Sequence, residues 1–225
     1  MNAFSRNALT MAYKLVQSFH KIVLVMFLSG GVARAEIVIV AFGDSLTAGY
    51  GLAQKDGFVP QLQDWLRGAG ADVRVVNAGV SGDTTAGGLA RIDWVLGGEV
   101  DAVILELGAN DFLRGLDPAA ARENLDAILA IITAKGLPVL IAGMPAPLNF
   151  GAEYKAEFDM IYPDMALKYD AVLYPFFLGG IAKMQGQAEV MTFIQADGLH
   201  PNAEGVLLMV ADIGPFVLAL IEGLE

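Results

Sequence analysis

Residues 36–225 contain one histidine, His200, and two serines, Ser45 and Ser81, and the whole chain lacks cysteine. Nucleophilic catalysis by a side chain therefore has few residues to draw on. A serine hydroxyl attacks a carbonyl carbon effectively only when a neighbouring base takes its proton, and that base needs a third group to fix its tautomer and balance its charge. Ser45, His200 and Asp197 fit those three roles. Asp197 stands three residues before His200 in a turn, which lets its carboxylate reach Nδ1 and leaves Nε2 for the serine. The anion that forms on an attacked carbonyl also needs donors already in place. The backbone amides of Ser45 and Gly82 and the side-chain amide of Asn110 are the candidates.

These residues lie far apart in the chain, so the elements between them must bring them together. Short apolar runs at Ile37 to Phe42, Val73 to Asn77, Ala102 to Leu107, Pro138 to Ala142 and Ala171 to Tyr174 have the two-sided hydrophobicity of strands in a covered parallel sheet. Helices are expected at about Gly57 to Arg67, Thr84 to Leu96, Pro118 to Lys135, Tyr154 to Tyr169 and Ala203 to Ile221. Asp117 and Pro118 have the types of an N-cap and first helical residue, and Gly136 that of a C-cap. Pro163 and Pro215 are each expected to kink or split the helix that holds them. Gly179 to Ala196 reads as a long irregular loop. Five βα units imply a single α/β domain, a three-layer α/β/α sandwich with right-handed crossovers. Ligands of such sheets bind beyond the carboxyl ends of the strands. Gly43-Asp44-Ser45-Leu46, the Asn77 to Asp83 segment and Gly108-Ala109-Asn110-Asp111 follow the first three strands. Asp197-Gly198-Leu199-His200-Pro201 precedes the last helix. All four blocks are expected at one edge of the sheet.

Composition narrows the function classes. The chain has 225 residues, 55% of them hydrophobic and 17% charged, with a net charge of −11; the mean hydropathy is +0.53 and the pI about 4.5. That charge argues against nucleic acid as a partner, because affinity for phosphate backbones comes mainly from Lys and Arg. The absence of cysteine excludes disulfides, thiolate metal sites and cysteine nucleophiles. Residues 1–35 carry Arg6, Lys14, Lys21 and Arg34 without an acidic residue, then an apolar stretch from Ile22 to Val32, then Ala33-Arg34-Ala35. This is the order of a secretory signal peptide, with cleavage expected after Ala35. The apolar stretch falls short of the roughly 18 residues that span a bilayer and is interrupted by Gly30-Gly31, so no stable membrane anchor is expected after cleavage. Residues 36–225 then carry 25 acidic against 10 basic side chains, a net charge of −15, on a periplasmic or secreted domain.

Taken singly, each chemical residue also has a structural role open to it. Ser45 is a possible turn or helix cap, Asn110 a loop cap, Asp197 and Asn202 caps of a turn and of the final helix, and Gly82 a turn residue. Their order, each at the end of a strand or the start of a helix, is what distinguishes them. With these four blocks in this order, and with the supporting segments Gly43 to Tyr50, Ser81-Gly82-Asp83-Thr84, Gly88-Leu89-Ala90-Arg91, Glu106-Leu107-Gly108 and Leu113-Arg114-Gly115, residues 36–225 resemble the SGNH hydrolases, also called GDSL esterases. The resemblance extends over nearly all of that region. It implies a flavodoxin-like parallel sheet in the order 2-1-3-4-5 and Ser45 as nucleophile. It also implies His200 as base, Asp197 as its orienting acid, oxyanion donors at Ser45, Gly82 and Asn110, and no metal or organic cofactor. The third block has Ala109 where that family more often has glycine, and its methyl is expected to narrow the oxyanion site. Asp44, Phe112 and Leu113 are expected to contact substrate, with Leu116, Met144, Leu148, Phe150 and Tyr154 as further candidates for an acyl groove. The expected substrate is a small-molecule ester or thioester, such as an aryl ester, an acyl thioester or a lysophospholipid, handled by a monomer. Two other readings are consistent with the same fold: a carbohydrate acetyl esterase, and a flavodoxin-type binding protein whose loop after the first strand cradles a phosphate.

Overall fold

The computed structural model describes residues 36–224; the segment read as a signal peptide lies outside them. Five strands, β1 (Ile37–Gly43), β2 (Val73–Gly79), β3 (Ala102–Glu106), β4 (Val139–Ala142) and β5 (Val172–Tyr174), pair in parallel throughout in the order β2-β1-β3-β4-β5. Every residue of β1, β3 and β4 is buried, which explains why these strands are apolar on both faces rather than alternating. β2 lies at an edge and mixes buried Val73 and Val75 with exposed Arg74 and Asn77.

The helices are α1 (Ser45–Ala48), α2 (Phe58–Gly68), α3 (Thr85–Val95), α4 (Ala109–Leu113), α5 (Pro118–Ala134), α6 (Ala152–Asp159), α7 (Ile161–Tyr169), α8 (Gly179–Ala182), α9 (Gln187–Thr192) and α10 (Ala203–Glu222). α2 packs against α10, and α3 and α7 pack against α5, giving the two helical layers. Phe42, Ile39, Ile104 and Leu105 of the central strands are fully or almost fully buried between them. α10 is long and apolar enough to cross a bilayer, but half of its most apolar stretch is buried inside the protein, as suits a core helix.

Several local expectations are met and several are corrected. Asp117 caps α5 by accepting from the Ala119 amide at 2.9 Å, with Pro118 in the first turn, whereas the C-cap is Lys135 and Gly136 follows it at φ +73°. The helix expected over Tyr154 to Tyr169 is two helices that part at Met160, which places Pro163 in the first turn of α7, where its missing N–H costs nothing. Pro215, expected to kink or split the last helix, does not split it: α10 runs through the proline. Burial of Ile213, Gly214 and Val217 on either side holds that helix together against the loss of one hydrogen bond. The segment Gly179 to Ala196 is not irregular throughout but contains α8 and α9, with Ile181 anchored in the core.

Register explains the placement of the chemical residues. Gly43 pairs with Gly79 on one side and with Glu106 on the other, so β1, β2 and β3 end level. Ser45, Gly82 and Asn110 lie two, three and four residues beyond that line.

Candidate active site

Ser45 opens α1, a single turn whose N-cap is Asp44 and whose chain reverses at Gly49 in the left-handed conformation. The serine Oγ lies 2.8 Å from His200 Nε2. His200 Nδ1 lies 2.6 Å from Asp197 Oδ2, while Asp197 Oδ1 accepts from the amides of Leu199 at 3.0 Å and His200 at 3.1 Å. Those donors, Leu199 first and the imidazole next, hold the Asp197 carboxyl down at about 2, so it is ionised throughout the range in which His200 would work as a base. Asp197 and Asn202 both also have the structural role open to them, since Asn202 caps α10 by accepting from the Gly205 amide at 2.9 Å.

Asn110 lies in α4 beside the serine, and its Nδ2 donates to Asp44 Oδ2 at 2.9 Å. An amide nitrogen carries two hydrogens, so this bond orients Asn110 without exhausting it. Asp44, expected to touch substrate, lines the cleft but is only 1% exposed, and its other oxygen accepts from the Leu46 amide at 3.0 Å. Its geometry is that of a group that orients Ser45 and Asn110. The neighbouring Asp111 is also buried and accepts from the Thr85 amide at 2.9 Å and hydroxyl at 2.6 Å, which ties α4 to the start of α3. Gly82, in the loop after β2, faces the same cleft as Ser45 and Asn110.

Behind the serine turn sits a carboxyl from one of the segments that carry the family resemblance, to which the sequence reading gave no chemical role. Glu106 is fully buried; its Oε2 accepts from the Asp44 amide at 3.2 Å and the Thr47 hydroxyl at 2.8 Å, and its Oε1 has no partner among the described residues. Burial first, and the Asp44 charge next, push the Glu106 carboxyl well above the ordinary range. Burial also raises Asp44, against the pull of Leu46 and Asn110. Both shifts favour the protonated forms, so the pair resists carrying two negative charges beneath the Ser45 turn. A side chain at Gly43 would run into both Thr47 Oγ1 and Glu106, so only glycine lets this carboxyl pass under the turn.

The cleft in front of Ser45 has a volume of about 420 Å³. Phe112, Leu113 and Met144 line it as expected, as does Ala109, the methyl-bearing residue of the third block. Leu116, Leu148, Phe150 and Tyr154 do not; Leu148 is 66% exposed, and the Tyr154 hydroxyl is spent on the Leu116 carbonyl at 2.8 Å. Their places are taken by Tyr50, Pro145, Pro147, Phe176, Leu178 and Leu199. The four blocks are silent about Phe176 and Leu178, which follow the short edge strand β5.

A level-ended parallel sheet with a serine, a histidine and a carboxylate in hydrogen-bonded sequence at its carboxyl edge defines a serine hydrolase of the flavodoxin-like kind. Residues 41–207 match the GDSL-like Lipase/Acylhydrolase family. The chain belongs to that family and is a serine hydrolase acting on ester bonds. It is 40% identical over 190 residues to Esterase TesA of Pseudomonas aeruginosa, a match covering 84% of this chain and 91% of that one. It is 35% identical over 174 residues to Thioesterase 1/protease 1/lysophospholipase L1 of Escherichia coli K12, covering 76% and 79% respectively. Among solved structures, AlinE4, an SGNH-hydrolase family esterase, superposes with a TM-score of 0.68 at 47% identity, covering 83% of this chain and 97% of that one.

Proposed function

We propose that the protein is an exported esterase and thioesterase that works through an acyl-enzyme on Ser45. The observation that carries this is the continuous line from Ser45 Oγ to His200 Nε2 at 2.8 Å and from His200 Nδ1 to Asp197 Oδ2 at 2.6 Å, at the wall of a mostly apolar cleft. In the first half-reaction His200 takes the Ser45 proton as Oγ bonds to the carbonyl carbon. The negative charge that moves to the carbonyl oxygen meets the amides of Ser45 and Gly82 and the remaining Nδ2 hydrogen of Asn110. His200, now charged and balanced by Asp197, gives the proton to the departing alkoxide or thiolate. Water repeats the sequence on the acyl-enzyme, with His200 again as base and Ser45 as the leaving group. No step requires a metal or an organic cofactor.

The apolar lining supports an acyl chain as the recognised portion of substrate, because Phe112, Leu113, Met144, Phe176 and Leu178 offer it surface and no charge. The relatives' names, which include esterase, thioesterase and lysophospholipase, agree with that class. Removal of residues 1–35 on export is part of the proposal and is checked by N-terminal sequencing of protein recovered from the cell envelope or medium. The catalytic reading is checked with p-nitrophenyl esters from acetate to palmitate, using the purified protein beside Ser45→Ala. Turnover that peaks at medium or long chains and vanishes in Ser45→Ala is expected. Ser45-dependent activity confined to acetate would instead favour a carbohydrate deacetylase, and wild-type rates from folded Ser45→Ala would overturn the mechanism.

A further inference from the structure

The distance between nucleophile and base is the critical quantity of the proposed site, and nothing in the Asp197–His200 turn itself fixes it. The turn is closed internally: the Gln195 amide donates to the His200 carbonyl at 2.7 Å, and the Gly198 amide to the Gln195 carbonyl at 3.0 Å. Together with the two amides held by Asp197, these bonds set His200 relative to Asp197. They say nothing of Ser45, which is 155 residues away and on a different element. The turn is also exposed, with Leu199 at 47%. Some contact must bridge it to the serine turn.

Gln195 makes that bridge. Its Nε2 donates to the Tyr50 carbonyl at 2.8 Å and to the Pro201 carbonyl at 2.9 Å. Tyr50 in turn donates its own amide to the Ser45 carbonyl at 3.1 Å. A path of three hydrogen bonds thus runs from the backbone of Ser45, through Tyr50 and one side-chain amide, to the residue that follows His200. A primary amide is suited to the task because it presents two N–H donors in one plane, and here both are used. The oxygen side of the Gln195 amide packs closely against Gly51. Gly51 has φ +76°, and a side chain there would overlap Gln195 Oε1. Tyr50 adds a wall: its ring centroid lies 4.6 Å from that of His200, tilted by 38°, although the tyrosine is 53% exposed and so contributes little to the core.

We propose that Gln195 is a positioning residue that holds the His200 turn at hydrogen-bonding distance from Ser45, with Tyr50 as the surface against which the imidazole rests. The proposal depends on the assignment of Ser45 and His200 as nucleophile and base. It adds a residue that touches neither substrate nor the reacting atoms.

Gln195→Met keeps the length of the side chain and removes both donors; Gln195→Glu keeps its shape and replaces the donors with acceptors. Each full-length variant is compared with wild type in three ways: thermal unfolding, kcat and KM for a p-nitrophenyl ester, and the second-order rate of Ser45 modification by a p-nitrophenyl alkylphosphonate. The last reports the nucleophile without the deacylation step. The imidazole NMR signals of His200, assigned by their loss in His200→Ala, report the Asp197 contact separately. The expected result is a phosphonylation rate and kcat lowered about 10- to 100-fold, the scale of an ångström-level misplacement, with KM little changed. The Asp197–His200 signal should persist, because that turn is closed by its own bonds. A phosphonylation rate within about twofold of wild type would overturn the proposal, since no transition-state stabilisation would have been lost. So would loss of the Asp197–His200 signal, or unfolding of both variants, either of which would make Gln195 a structural residue of the turn. Failure of the underlying assignment is distinguishable, because Ser45→Ala and His200→Ala would then keep their activity in the same assays.

Discussion

At the residue scale the site is a set of polar groups whose partners fix their charge. Three N–H donors converge on Asp197, two from backbone and one from the imidazole, and hold its carboxyl at about 2 against an ordinary value of 3.8. A depressed carboxyl stabilises the fold wherever the unfolded chain would bind the proton more tightly. The contribution is therefore fully present above about pH 4 and is lost as pH falls through about 2. Asp197→Asn should lower the melting temperature by an amount that is constant from neutral pH to about 4 and shrinks between about 4 and 2; scanning calorimetry across that window checks it. The same substitution presents an amide where the imidazole needs an acceptor. It should lower kcat by up to about 10⁴-fold at pH 7, the scale of losing an orienting carboxylate. Activity retained at the wild-type level would leave Asp197 as a turn cap alone. Glu106 is the opposite case, a carboxyl that burial and the Asp44 charge push well above the ordinary range, which opposes a second negative charge under the Ser45 turn.

At the scale of elements, a side chain of α3 ties together the segments that carry Ser45 and Gly82, the proposed nucleophile and oxyanion donor. Arg91 donates from Nε to Asp83 at 2.6 Å, from Nη1 to the Ala78 carbonyl at 2.8 Å and from Nη2 to the Gly43 carbonyl at 2.9 Å, with its guanidinium 4.0 Å from the centre of the Phe42 ring. One planar cation thereby joins the ends of β1 and β2 and the residue next to Gly82. Arg91→Met keeps the stem but takes a donor from the Ala78 carbonyl, the Asp83 carboxylate and the Gly43 carbonyl, the last of which keeps the Val80 amide at 3.0 Å. It should cost about 2 to 4 kcal/mol of stability by urea unfolding, with a larger fall in kcat than in KM because the Gly82 amide is displaced from the serine. What was readable beforehand follows the same division. The strands were legible because burial on both faces leaves continuous apolar runs, and the four blocks because glycine and polar residues interrupt those runs at strand ends. Gln195, Phe176 and Leu178 were not, since their roles depend on tertiary contacts between segments that no periodicity links. α8 and α9 were missed because helices of four and six residues are too short to display a pattern. Pro215 does not split α10, because packing on both sides of the proline overrides its low helix propensity.

At the scale of the whole molecule, charge bears on which esters reach the cleft. Residues 36–225 carry a net charge of −15. Close to the site Asp197 is ionised, and the exposed Arg114 donates to the Gly82 carbonyl at 2.7 Å at the mouth of the cleft. A neutral ester approaches such a surface unopposed, while a thioester bearing several phosphates meets a repulsive field that salt screens. Raising ionic strength from about 0.01 M to about 0.15 M shortens the screening length from about 30 Å to about 8 Å. Over that range kcat/KM for a polyanionic acyl thioester should rise by up to about tenfold, while that for a neutral ester of the same acyl chain stays level. The paired measurement separates field from chemistry, because both substrates would form the same acyl-enzyme on Ser45 and differ only in leaving group and charge. A rate that falls with salt for the thioester would mean that Arg114 attracts the phosphates strongly enough to dominate the approach. The leaving group would then be recognised at the mouth of the cleft, rather than tolerated there.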